Sequence, residues 1–314
     1  MGNNLFRNVF KSIFELIGNT PLIDLTSLLG ESSEVRILAK AEWYNPGGSI
    51  KDRPAKEIIL EAEKACRLTP EKRILDATSG NMGIAYTLLG RSRGYRVTLC
   101  IPDNASAERK KLLKIFGAEL IITDPLEGID GAIEKARKLY AKEPEKYFYA
   151  DQYSNPANYL AHYKTTGPEI WEQTQGEITH FVAGLGTSGT MMGVGRFLKE
   201  KNPEIKLIGI QPNSPLHGIE GLKHMDTALR PAIYQEDLLD EILFISTEEA
   251  YTMVKKVLNL KGLFLGVSSG AALAGALKVA KKLKSGTIVT IFPDSGHKYL
   301  SESFWVEANE TLFT

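Results

Sequence analysis

Short apolar runs recur along this chain, and nearly every one leads through a turn of glycine or hydroxyl residues into a stretch of helical length. That alternation limits the fold more than any other feature. Parallel strands need a crossover of a dozen or more residues, and a helix is the usual one. Residues 73–77, 97–102 and 120–123 read as strands, with helices expected over 84–92, 107–116 and 131–141. A second series has strands over 178–183, 206–211, 241–245 and 287–292, and helices over 156–172, 191–201, 247–258 and 269–284. Within residues 156–172, Thr165-Thr166-Gly167-Pro168 predicts a break or kink. The reading is α/β, with two domains, each an open, mostly parallel sheet flanked by helices. The first series ends near residues 150–155, and the two units would face each other across a cleft.

Four turns carry the chemistry. Asn45-Pro46-Gly47-Gly48-Ser49-Ile50-Lys51 leads into a helical pattern over residues 50–64, with Ser49 as expected N-cap. Lys51 then sits at the positive end of a helix dipole, which disfavours a cation by ~0.3–1 kcal/mol. A lysine so placed gains by being neutral or by joining a carbonyl as an imine; an ordinary solvated lysine is the alternative. Gly184-Leu185-Gly186-Thr187-Ser188-Gly189-Thr190 has the glycine spacing of a dinucleotide loop between strand and helix. However, the tip of the next strand, Ile210-Gln211-Pro212, lacks the carboxylate that loop requires. The hydroxyls of Thr187, Ser188 and Thr190 suit a terminal phosphate monoester better than a bridging pyrophosphate; a plain strand–helix turn is the alternative. Thr78-Ser79-Gly80-Asn81 reads as a seat for a carboxylate, with Asn81 able to reach a ligand oxygen, or as simple helix capping. Gly266-Val267-Ser268-Ser269-Gly270 is a further turn of this kind. Taken together, the turns describe a phosphorylated aldehyde cofactor, with lysine on its carbonyl and one loop on its phosphate.

The bulk properties narrow the partners. With 314 residues, 43% hydrophobic and 24% charged, the chain has ordinary globular composition. Its zero formal charge gives no nucleic-acid footprint. No apolar run is long enough to span a membrane, and no signal-peptide core is expected at the N-terminus. Cys66 and Cys100 form neither a metal spacing nor a disulfide framework, so a cytoplasmic location is expected, with Cys100 as core filler. No metal site is expected.

The motifs resemble, in order and over nearly the whole chain, the cysteine synthase and cystathionine β-synthase family of pyridoxal 5'-phosphate (PLP) enzymes, fold type II and tryptophan synthase beta-like. The matching segments are Gly18-Asn19-Thr20-Pro21-Leu22, residues 45–53, 78–83, Asn155-Pro156-Ala157-Asn158, 165–169, 186–193, 266–272 and Pro293-Asp294-Ser295-Gly296. Residues 184–198 with Lys223-His224-Met225-Asp226 are most similar to the bacterial cysteine synthase B type. The resemblance implies a smaller, mobile domain over 45–150 carrying the carboxylate loop, and a larger one from 1–44 and 151–314 holding the cofactor phosphate. It implies Lys51 as the cofactor-bearing lysine and proton carrier, and Asn81 on the ring oxygen. Gly186, Thr187, Ser188, Gly189 and Thr190 would hold the phosphate, with Ser268 on the ring nitrogen. Thr78, Ser79 and Gln152 would bind the substrate carboxylate. Met82 stands in that loop where the family usually has threonine, and His297 where glutamate is frequent. Lys223, with His224, lies where a cation could meet a donor phosphate; a solvated loop pair is the alternative.

The implied activity is β-replacement on O-acetylserine or O-phosphoserine, giving cysteine or S-sulfocysteine. The sulfur donor would be sulfide, thiosulfate or a protein-borne thiocarboxylate, and the family suggests a homodimer. A PLP-dependent serine or threonine dehydratase, or another β-eliminating lyase, is the enzymatic rival. A non-catalytic binding protein is the rival from another class, and a nicotinamide dehydrogenase is disfavoured by Gln211.

Overall fold

The computed structural model describes residues 10–30, 33–78 and 80–308. Strands β1 (Leu22–Asp24), β2 (Glu34–Ala41), β3 (Arg73–Ala77), β4 (Arg96–Pro102), β5 (Glu119–Thr123), β6 (Tyr147–Tyr149), β7 (His180–Gly184), β8 (Lys206–Pro212), β9 (Glu241–Ile245) and β10 (Ser285–Phe292) form two sheets. Helices are α1 (Asp52–Lys64), α2 (Asn81–Ser92), α3 (Ala107–Ile115), α4 (Gly128–Lys142), α5 (Ala157–Ala161), α6 (Gly167–Gln173), α7 (Gly189–Lys201), α8 (Thr247–Lys261) and α9 (Val267–Ala280). One sheet has the order β5-β4-β3-β6 and is wholly parallel; the other runs β1-β2-β10-β7-β8-β9, with only the β1–β2 pair antiparallel. The expected two-sheet, mostly parallel α/β architecture is therefore present.

Burial explains why the central strands read as continuous apolar runs: β4 is buried from Val97 to Pro102 and β8 from Leu207 to Pro212. Helix α9 is buried along almost its whole length and packs with α8 against the larger sheet. The smaller sheet is covered by α1, α2 and α3 on one face and by α4 on the other. Phe14 and Ile17, close to the N-terminus, belong to that smaller sheet's core, whereas β1 and β2 join the larger sheet. Cys100 is buried within β4, as expected of core filler. Among the described residues, no helix is long and apolar enough to cross a membrane.

Local details differ from expectation. Ser49 is not the N-cap of α1; that position is taken by Lys51, and Ser49 Oγ instead accepts from the Lys51 N–H at 3.3 Å. The turn is held by one local contact and one long-range contact that no local propensity encodes: the Gly47 N–H donates to the Asp52 carboxylate, and Ile50 N–H donates to Pro293 O at 2.9 Å. The predicted break at Gly167-Pro168 becomes a π-helical turn over His162–Thr166, after which α6 continues with Pro168 in its first turn. Widening the helix just ahead of proline avoids its clash with the preceding carbonyl, and such turns often carry function.

Candidate active site

Each sheet has one point where its strand order reverses: between β3 and β6 in the smaller, and between β10 and β7 in the larger. Ligands of open α/β sheets bind in the crevice beyond the carboxyl ends of strands at such points. Here the two crevices face one cavity of about 670 Å³. Lys51, Thr78, Asn81, Met82, Gln152, Gly186, Thr187, Ser188, Gly189, Thr190, Lys223 and Ser268 all line it, so the sequence candidates converge, apart from Ser79, which lies outside the described residues.

Lys51 is half-buried at the amino end of α1. Burial pushes its ammonium below the ordinary lysine value, with the Asp294 carboxylate opposing. The amine is thus biased toward its neutral, nucleophilic form. Thr78 Oγ1 accepts from the Gly80 and Gly83 N–H groups at 2.9 and 3.2 Å, shaping the start of α2 while keeping its own proton to donate. Gln152 Nε2 donates to Ala77 O at 2.7 Å, which holds the side chain across the β3–β6 crevice. Met82 is buried in the smaller sheet's core even as it lines the cavity. Asn81 Nδ2 donates to Asp294 Oδ2, and its Oδ1 accepts from Lys298 Nζ, both at 2.7 Å.

On the opposite wall, the glycine loop ends in the amino terminus of α7. Asn158 links the two halves, donating to Gln152 O at 2.7 Å and to Thr187 Oγ1 at 3.0 Å. Ser188 adopts a left-handed backbone with φ of 67°, and its buried Oγ has no hydrogen-bond partner among the described residues. An orphaned hydroxyl beside a helix amino terminus fits a group rich in acceptor oxygens, as a phosphate is. The backbone is also close-fitted: a Cβ on Gly186 would collide with the Gly221 carbonyl, and one on Gly189 with the Asn158 side chain. Gly186→Ala is accordingly expected to weaken cofactor retention by roughly 100-fold or more, the scale of losing one or two charge-assisted hydrogen bonds. Equilibrium dialysis against the phosphorylated aldehyde that the motifs imply measures this; retention equal to wild type would remove the loop from its binding.

Buried charges that no sequence motif marks as a cluster brace the site. Lys40 and Glu42 appear in the sequence as interruptions of an apolar run; both side chains are fully buried. Arg53, two residues beyond Lys51, pairs with Glu42 through Nε and Nη2 at 2.7 and 2.8 Å. It also pairs with Glu169 through Nη1 and Nη2 at 2.6 and 2.8 Å. Its remaining contacts go to Thr165 in the π-helical turn and to Thr20, and Lys40 joins Glu169 at 2.7 Å. Charged residues inside an apolar strand were the available signal. Two further ion pairs cross the cavity mouth: Arg109 of α3 with Glu220, and Asp130 of α4 with Lys223 at 2.7 Å. The Arg109 guanidinium also lies 4.5 Å over the Tyr299 ring.

A model of the pyridoxal-phosphate dependent enzyme family matches residues 13–294, and the chain belongs to that family. Its cofactor is therefore PLP, and the residues just described fit that group. The sequence resemblance to the cysteine synthases is borne out in the relatives. The chain is 50% identical to cysteine synthase of Aquifex aeolicus over 96% of this chain and 94% of that one. It is 41% identical to cysteine synthase B of Pseudomonas aeruginosa, over 94% and 98%. The crystal structure of the cysteine synthase (OASS) of Entamoeba histolytica superposes with a TM-score of 0.90 at 40% identity, covering 96% of this chain and 92% of that one.

Proposed function

We propose that the protein makes L-cysteine by β-replacement, from O-acetylserine and a small sulfur nucleophile. The observation that carries this is the convergence of Lys51, the Thr78–Asn81 turn and the Gly186–Thr190 loop on one cavity. PLP supplies, when bound, an electron sink for the substrate's α-carbon. Lys51 would bear the cofactor, with Asn81 on its ring, the Gly186–Thr190 loop on its phosphate and Ser268 at its ring nitrogen. Ser268 is a neutral hydroxyl, which leaves the sink modest and favours loss of a good leaving group from the β-carbon.

The chain's own residues do the rest. The Thr78 hydroxyl and Gln152 orient the substrate carboxylate, so that the α-proton faces the Lys51 amine. Neutral Lys51 Nζ takes that proton and later returns it as product forms. The Arg109–Glu220 and Asp130–Lys223 pairs tie residues 45–150 to the far wall of the cleft. We propose further a homodimer acting in the cytoplasm; a protein-borne thiocarboxylate in place of free sulfide would also have to enter through this mouth.

Donor choice follows from Lys223. Its ammonium is already neutralised by Asp130, donates to Leu229 O at 3.3 Å and lies 5.1 Å from the Tyr153 ring centroid. A donor phosphate would have to displace a carboxylate, whereas an acetyl ester need not. Turnover of both donors by wild type and Lys223→Ala, with sulfide, tests this. O-acetylserine should be preferred, and Lys223→Ala should change its kcat/KM by less than ~10-fold, one charged hydrogen bond being worth at least that. Preference for O-phosphoserine, lost selectively in the variant, would reassign Lys223 to phosphate reading. Pyruvate released at the full rate without a sulfur source would establish the lyase instead.

A further inference from the structure

Lys298 has no part in the reaction as described, yet only 8% of its surface is exposed. It ends the short 3-10 turn Gly296–Lys298 that follows β10. Its ammonium has three protons, and three acceptors surround it: Gly47 O at 2.9 Å, Gly48 O at 3.2 Å and Asn81 Oδ1 at 2.7 Å. The first two belong to the turn that delivers Lys51, and the third to the loop at the start of α2. Burying a lysine is costly, and here every proton is spent on a segment that bears the chemistry.

Asn81 is held at both ends by this one stretch of chain. Its Oδ1 accepts from Lys298, and its Nδ2 donates to Asp294 Oδ2, which also accepts from the Tyr299 hydroxyl at 2.9 Å. The amide can therefore adopt only one of its two flips, leaving a single N–H to offer a ligand. The turn that presents Lys298 is itself pinned, since Gly296 N–H donates to Phe264 O at 3.0 Å and Leu265 bridges to Ser295.

We propose that Lys298 is a positioning residue that couples the two halves of the cofactor site: one ammonium fixes both the Asn81 amide and the Gly47–Gly48 turn carrying Lys51. The proposal rests on the reading that Asn81 meets the cofactor ring. Lys298→Met removes the ammonium and keeps the stem. Lys298→Arg supplies donors enough for all three acceptors, and Asn81→Ala serves as the control.

Amide hydrogen exchange in the cofactor-free protein is the first readout. Lys298→Met should accelerate exchange in both segments, 46–50 and 81–85, by about tenfold or more, and Lys298→Arg should not. The second readout is the absorbance band of the fully loaded protein, which should move in the same direction in Lys298→Met as in Asn81→Ala. The third is kinetic: kcat should fall about 10- to 100-fold in Lys298→Met, with KM for the serine ester within about threefold, as misplacement by an ångström can do. Wild-type exchange and an unmoved band in Lys298→Met would overturn the proposal. A band unmoved even by Asn81→Ala would instead sink the Asn81 reading, and the exchange arm would still judge Lys298. Should the methionine variant fail to fold, Lys298→Gln, which can satisfy at most two of the acceptors, takes its place under the same criteria.

Discussion

Lys51→Ala should abolish turnover, lowering kcat by about 10³-fold or more, because it removes both the covalent tether and the proton carrier. General acid–base catalysis alone is worth 10²–10⁴. The fold should survive, since the Lys51 side chain is half-buried, borders the cavity and belongs to neither sheet's core. Borohydride reduction of the wild-type protein followed by peptide mapping should label Lys51 alone, and the variant should take no label. Labelling at another lysine, or undiminished turnover in the variant, would overturn the assignment of Lys51. Burial favours the neutral amine at this position, and the turn ahead of it is fastened to the end of β10 through Ile50 and Pro293.

Arg53→Met should have the largest effect on stability. It leaves Glu42, fully buried, and Glu169, nearly so, without their principal cation. Removing one member of a buried ion cluster typically costs about 3–5 kcal/mol, because the remaining charges stay desolvated. Urea unfolding followed by tryptophan fluorescence measures it, and a loss below ~1 kcal/mol would mean that water or Lys40 compensates. The pH dependence has a definite sign. Arg53 and Lys40 hold the Glu169 carboxyl down to about 2, against an ordinary value of 4.5, and outweigh its burial. A depressed carboxylate stabilises the folded chain above its ordinary value, and that contribution is lost as pH falls from about 4.5 toward about 2. Wild type should therefore lose stability across that window, and Arg53→Met should lose less there. Turnover should fall as well, because Arg53 anchors the first turn of the helix whose amino end carries Lys51.

The strand–turn–helix alternation, the glycine loop and the position of Lys51 were legible because each rests on local physics. Periodicity sets the elements, glycine permits close backbone approach, and a helix amino terminus attracts anions whatever lies around it. The boundaries of β3 and β9 agree with expectation to the residue, since short apolar runs bounded by polar residues leave little freedom. Ser49 was misplaced because capping competes with longer-range contacts, and the bond to Pro293, far along the chain, decided the turn. The cluster of Lys40, Glu42, Arg53 and Glu169 was invisible as a cluster, because a buried charge is tolerable only when its partners arrive from other elements.

The sequence by itself determined the α/β class, the two series of strands and the set of turns able to hold an aldehyde cofactor, all through interactions within some fifteen residues. Only the tertiary structure decided that these turns face one cavity, that Lys223 is already neutralised by Asp130, and that Lys298 reaches both Asn81 and the lysine turn. The reason is physical: ion pairing and hydrogen bonding depend on distance and desolvation, and chain separation encodes neither.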